Sequence, residues 1–296
     1  MHLFCQFASA PLQPQQQAKT QHANSKVMRL LSSGIMASTL AVALLFVHVC
    51  TAEIPKEEDN ASTPGLLAFT VIDTKAHDPQ LFTQGLVFDK GNLIESSGLY
   101  NKSFVRTYNA QTNKTVRQQK LPNHLFAEGI TLFNDQLLLL SWRAGVLTAL
   151  NPHTLTPLKT LQYEGEGWGI THDGYMLYTS DGSHILTVRT PKSFAIDRTL
   201  AVLDPATGQK LDRLNELEFA QDMIWANRWQ TNVIYRINPL SGDVTGRVNL
   251  ETLVPLEHKN SRQSVLNGIA YDPKQDAFWI TGKNWPQRHL IKILAP

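Results

Sequence analysis

The chemistry this chain offers begins with one glutamate. Glu128 stands in Phe126-Ala127-Glu128-Gly129-Ile130-Thr131, between an aromatic residue and a glycine, immediately before an apolar run from Leu132 to Leu140. That run reads as a strand, so the carboxyl belongs at the strand's mouth. Aromatic walls desolvate such a group and raise its pKa, which fits it to take and return a proton near neutrality. Similar junctions recur: Gln84 before Gly85, Trp168 before Gly169, Gln221 before Asp222 and Asn267 before Gly268. Equivalence of these starts puts Gln84, Glu128, Trp168, Gln221 and Asn267 in one ring, with Glu128 its only acid. The bland alternative is a structural glutamate that pairs with a neighbouring repeat.

The tryptophans carry the next signal. Trp142, Trp168, Trp229 and Trp285 sit beside turn residues rather than inside apolar runs, a placement that suits a pocket wall. Trp225, within Met223-Ile224-Trp225-Ala226, reads as inner-strand core. Other chemistries lack their residues. The ten histidines show no ligand spacing, and no glycine-rich phosphate loop or Gly-x-Ser-x-Gly elbow occurs. The expectation is no metal and no cofactor.

Elements must hold these residues in place, and the chain's outline says where they begin. Met28-Arg29-Leu30, an apolar stretch from Ile35 to Val49 and Cys50-Thr51-Ala52 have the layout of a secretory signal, with cleavage expected after Ala52. Both cysteines, Cys5 and Cys50, lie in that leader, so a mature chain has no disulfide and no thiolate. Loss of Lys19, Lys26 and Arg29 takes the formal charge from +2 to about −1. Near-neutral charge gives no footing for nucleic acid or for stable membrane association, and the protein is expected to be exported, periplasmic or secreted, as a monomer. Residues 1–52 are thus read as leader, 53–65 as a polar, proline-bearing linker, and 66–296 as the folded domain.

Within that domain short apolar strands alternate with tight turns such as Asn134-Asp135 and Ser241-Gly242-Asp243. Leu211 to Glu218 reads as a short helix or a loop. The repeat starts Gly85, Gly129, Gly169, Asp222 and Gly268 are spaced by 44, 40, 53 and 46 residues. A period in the forties built of four strands marks a β-propeller. The expected fold is therefore all-β: five blades of four antiparallel strands. The last repeat lacks a fourth strand, which the orphan stretch from Leu67 to Ile72 is expected to supply, closing the ring.

Eight segments taken together resemble the plant and bacterial glutaminyl cyclases: those beginning at Phe82, Phe126, Glu166, Ser180, Leu214, Trp225, Leu266 and Thr281. The likeness runs over essentially residues 67–293. It implies a five-bladed propeller that converts N-terminal glutaminyl residues of peptides or proteins to pyroglutamyl with release of ammonia, without a catalytic metal. It implies Glu128 as acid/base, with Phe82, Gln84, Phe126, Trp142, Trp168, Asn215, Trp229 and Lys283 lining the channel. Gln84, Asn215 and Lys283 are the candidates to stabilise the oxyanion. Two departures stand out: Ala127 where glycine is usual, and Arg228 where a small apolar residue is usual. The competing class is a propeller that only binds, for instance a sugar or peptide, or serves as a scaffold.

Overall fold

A computed structural model describes residues 65–294 of the protein. The leader, and the linker up to Pro64, lie outside the described residues.

Strand β1 (Phe69–Ala76) comes first in the chain. The first blade is β2 (Thr83–Asp89), β3 (Asn92–Ser97), β4 (Phe104–Asn109) and β5 (Thr115–Lys120). The second is β6 (Ala127–Phe133), β7 (Gln136–Ser141), β8 (Val146–Leu150) and β9 (Pro157–Gln162). The third is β10 (Ile170–His172), β11 (Leu177–Thr179), β12 (Ile185–Arg189) and β13 (Ile196–Ala201). The fourth is β14 (Leu214–Ala220), β15 (Met223–Arg228), β16 (Val233–Ile237) and β17 (Val244–Asn249). The fifth runs outward as β18 (Leu266–Asp272), β19 (Ala277–Gly282), β20 (Gln287–Ile293) and then β1, which pairs antiparallel with β20 from Phe69↔Ile293 to Ala76↔Gln287. Gly65 to Leu67 instead bond to Arg247 of β17, so the strand begins two residues later than the sequence indicates and continues four residues further. The fold is a five-bladed β-propeller.

Tight hairpins make the blades compact. Asn134 and Asp135 (φ 47° and 55°) and Gln221 and Asp222 (φ 55° and 59°) both take the left-handed conformation that matches strand twist. The second of these turns corrects the repeat. Gln221-Asp222 joins β14 to β15, so the fourth inner strand is β14, which Leu211 to Glu218 had disguised as helix or loop. Asn215 therefore takes the ring position expected of Gln221, and Trp225 is core on the second strand of its blade rather than the first. Acidic residues at 216 and 218 hid the strand, because an inner strand is normally read by its apolar run.

Apolar side chains meet between blades, not within one centre. Five clusters fill five interfaces, one for each neighbouring pair of blades. β7 shows how: Leu137 and Leu139 face the first blade, and Leu138 and Leu140 face the third, by the period-2 alternation of a strand buried on both sides. At the axis the inner strands almost touch. A Cβ on Gly85 would lie 2.5 Å from Ile130 N, one on Gly129 2.7 Å from Trp168 O, and one on Gly169 2.1 Å from Asn215 O. The fourth inner strand has Glu216 at this level. Its buried carboxyl reaches across the axis to accept hydrogen bonds from Leu86 N (3.3 Å) and Ile269 N (2.9 Å).

The seam between first and fifth blades is polar as well as apolar. His77 points both ring nitrogens at acceptors, Trp285 O (2.7 Å) and the Glu95 carboxylate (3.1 Å). Glu95 also accepts from Thr83 Oγ1 (2.6 Å) and Tyr108 OH (2.7 Å). Burial lowers the pKa of His77, but the Glu95 charge and the hydrogen bonds to Glu95 and Trp285 together outweigh it and raise the pKa. Deleting residues up to Ala76 strips β20 of its partner and bares a seven-residue strand edge. The expected outcome is insoluble protein or one without a cooperative thermal transition; a soluble truncation with an unchanged Tm would show β1 to be dispensable.

Candidate active site

Four of the inner strands open with a register shift. The irregularities fall between Thr83 and Gly85, Ala127 and Ile130, Leu214 and Leu217, and Leu266 and Ile269. Gln84, Glu128, Asn215 and Asn267 are the residues these irregularities displace. A bulge bends its strand and re-aims a side chain, here at the end of the axis. The backbone of two of these bulges is pinned by a serine: Ser96 Oγ donates to Glu128 O (2.5 Å) and Ser180 Oγ donates to Asn215 O (2.6 Å). The aromatic walls are anchored similarly, with Trp142 N donating to Phe126 O (3.0 Å) and Trp229 N to Arg213 O (2.8 Å).

A cavity of about 480 Å3 opens above this ring. Phe82, Gln84, Phe126, Glu128, Trp142, Trp168, Asn215, Trp229 and Lys283 all line it, together with Leu99, Arg143, Glu166, Arg262 and Gln263. Three expected residues lie elsewhere. Gln221 bonds Asp276 Oδ1 (2.7 Å) at an exposed turn, and Trp285 is fully buried against Gly282, its Nε1 donating to Ser264 O (3.2 Å). Asn267 is buried behind the wall, its Nδ2 donating to Thr83 O (3.0 Å). Edge-on contacts order the aromatics: Phe82 against Phe126 at 6.4 Å, and Trp168 against Trp229 at 5.7 Å and 89°.

Two carboxyls share the cavity with opposite proton affinities. Glu128 is 5% exposed, and burial pushes its pKa well above the ordinary carboxylate range; the Glu166 charge adds to that push and Lys283 opposes it. Gln84 Nε2 donates to its Oε1 (3.1 Å), and among the described residues no other side chain bonds the carboxyl. Oε2 is thus left for a substrate. Glu166 is only partly buried, and that push is outweighed by three donors, Trp168 Nε1 (3.0 Å), Arg143 Nε (2.8 Å) and Trp142 Nε1 (2.7 Å), which hold its pKa below the usual value. Arg143 in turn stacks on the Trp142 ring at 3.9 Å. One carboxylate therefore fixes both tryptophan walls. Nothing in the sequence but its position two residues before Trp168 pointed to it.

Lys283 is 5% exposed, and burial lowers its pKa to about 8 against the pull of Glu128. Its ammonium lies 4.7 Å from the centre of the Phe82 ring. Asn215 contributes an acceptor, Oδ1, buried without a partner among the described residues. The arrangement supplies a proton carrier, a buried cation and an open acceptor within aromatic walls, which suits acyl chemistry on a small polar group. Among the described residues, no three His, Cys, Asp or Glu side chains converge as metal ligands.

Comparison with known proteins agrees on one family. The glutamine cyclotransferase family model matches residues 41–293. A glutaminyl-peptide cyclotransferase of Arabidopsis thaliana is 35% identical over 223 residues, covering 73% of this chain and 68% of that protein. The crystal structure of Myxococcus xanthus glutaminyl cyclase matches with a TM-score of 0.72 at 31% identity, covering 78% of this chain and 100% of that one.

The Glu166 anchor yields a prediction. Glu166→Gln removes a negative charge that disfavours ionisation of Glu128, so the Glu128 pKa falls toward the ordinary range. Both indoles donate to Oε2 and Arg143 to Oε1, so the amide loses either the indoles or the guanidinium stacked on Trp142, and tryptophan fluorescence shifts. Carboxyl-carbon NMR titration of the folded variant measures the first effect; an unmoved Glu128 titration would remove Glu166 from the site's electrostatics.

Proposed function

The chain belongs to the glutamine cyclotransferase family, and on that footing we propose that the cavity around Glu128 is its active site. The protein converts N-terminal glutaminyl residues to pyroglutamyl residues with release of ammonia. We read it as an exported monomer that acts on peptides or proteins beginning with Gln, with no nucleic-acid or membrane partner. The observation that carries the site assignment is the buried Glu128 carboxyl, its pKa raised, with one oxygen free and a buried lysine nearby.

In this reading the α-amine attacks the side-chain amide carbon, an N–C bond forms, and the C–N bond to the departing ammonia breaks. The free amine is needed for attack, and its pKa in peptides is about 7.7–8.0. Glu128 as carboxylate takes a proton from the attacking nitrogen and returns it to the leaving nitrogen, so it ends the cycle as it began. Lys283 is the best placed of the three oxyanion candidates. It alone of the three carries a charge, whereas Gln84 commits one of its two amide N–H groups to Glu128, and Asn215 has an unpaired Oδ1 suited to the substrate's N–H groups. Trp142, Trp168 and Trp229 hold the flexible glutaminyl side chain folded toward its own amine, where intramolecular attack gains most.

Glu128→Gln keeps the shape but removes the base. The expected loss in kcat is about 10²–10⁴-fold with the fold intact by circular dichroism. Single-turnover formation of pyroglutamyl peptide within a few-fold of wild type would make Glu128 structural. The pH profile tests both charges. Turnover falls on the acid side as Glu128 is protonated, well above pH 4.5, and on the alkaline side near pH 8 as Lys283 loses its proton. Lys283→Arg stays charged and moves the alkaline limb upward.

In this reading Glu128 carries the proton and Lys283 stabilises the charge, so exhaustive chelation is expected to leave turnover unchanged. Activity lost to a chelator and restored by zinc would contradict that expectation.

A further inference from the structure

Beside the catalytic cavity lies a second recess, of about 260 Å3, that the reaction itself does not use. Its walls carry the cations Arg213, Lys259 and Arg262 beside His258, and no Asp or Glu lines it. Two of the cations, Lys259 and Arg262, have no carboxylate within 4.0 Å among the described residues. Of the acids around it, Asp212, 3.7 Å from Arg213, bonds Arg228 at 2.5 Å, Glu251 accepts from the Asn232 side chain, and Glu257 lies in the turn Leu256–His258 without lining the recess.

The recess adjoins the cavity at several points. Arg262 lines both, Gln263 of the cavity precedes Ser264 of the recess, and Trp229 of the cavity precedes Gln230 of the recess. Behind the shared wall, Lys283 N donates to Val265 O (2.9 Å). A peptide whose first residue reaches Glu128 must leave the cavity over its rim, and at about 3.3–3.6 Å per residue its next few side chains come to that rim.

We propose that this recess binds acidic side chains of the substrate a few residues after its N-terminal glutamine, making acidic peptides the preferred substrate class. The proposal rests on the cyclase reading above. Uncompensated cations in a concave wall attract carboxylates over a distance of about a Debye length, and this attraction weakens with salt.

The test compares Gln-Gly-Glu-Glu-Gly with Gln-Gly-Lys-Lys-Gly, using the full chain at low and at high sodium chloride. Exposed ion pairs contribute about 0.2–1 kcal/mol each, so two give a preference of about two- to thirtyfold in kcat/KM for the acidic peptide at low salt. High salt reduces it. Lys259→Glu narrows or inverts the preference while turnover of a short Gln-Ala substrate stays at the wild-type value. Lys259→Asp provides an independent reversal should the first variant misfold. Equal kcat/KM for the two peptides in the wild-type protein, or a preference that survives both charge reversals, overturns the proposal and leaves the cyclase reading standing. Failure to cyclise any Gln peptide, Gln-Ala included, instead sinks the cyclase reading.

Discussion

Everything about this molecule depends on how close its inner strands come to one another. At the axis the backbones of neighbouring blades approach so near that a single added carbon on Gly85, Gly129 or Gly169 would overlap a peptide unit of the next strand. Glycine is therefore a geometric requirement at this level, not a turn signal. The fourth blade is the exception, and it uses the exception. Glu216 occupies the space that four glycines leave, and its carboxyl bonds backbone N–H groups of two other inner strands. Burial pushes its pKa well above the usual range, the neighbouring Glu218 adds to the push, and the two backbone donors oppose it. Immediately above this level the strands bulge, and the bulges present Gln84, Glu128 and Asn215 to the cavity. The close approach and the site are thus consecutive residues of the same strands.

Within the cavity, identical functional groups behave differently because their partners differ. Glu128 and Glu166 are the same residue type a short distance apart in one pocket. Glu128 is buried with a single amide donor, so desolvation wins and it holds its proton readily. Glu166 is at the rim with two indoles and a guanidinium, so hydrogen bonding wins and it stays ionised. Lys283 completes the pattern from the other sign, buried enough to lose its proton near pH 8. Environments that push titratable groups apart in this way divide acid, base and anchor among them.

How much of this was legible in the sequence follows from the same geometry. The period of the repeat, the blade count and the aromatic and polar cavity residues could be read because each repeats a recognisable local pattern, or resembles a family's motifs. Inner strand β14 was misplaced, because Glu216 and Glu218 replaced the glycine and apolar residues that signal such a strand, and the ring member Gln221 was wrong in consequence. Trp285 was misassigned for a related reason. Its turn-forming neighbours Asn284 and Pro286 imitate a pocket rim, yet Gly282 leaves room for the indole to lie buried against the chain. Glu166 gave little sign, since its importance lies in three donors that come together only in space. Bulges leave no one-residue signature at all.

The Glu216 spacer has one more effect. Its carboxyl spans the axis just beneath Glu128 and is bonded to the backbone of two other blades. On the proposed assignment of the site, that leaves one doorway for arrivals and departures alike. Such a chamber could not thread a polypeptide, so it would pass over internal glutamines and admit only a loose chain terminus. Both products of the proposed reaction would back out the way the substrate came, which would make clearing the doorway a step of its own in each cycle.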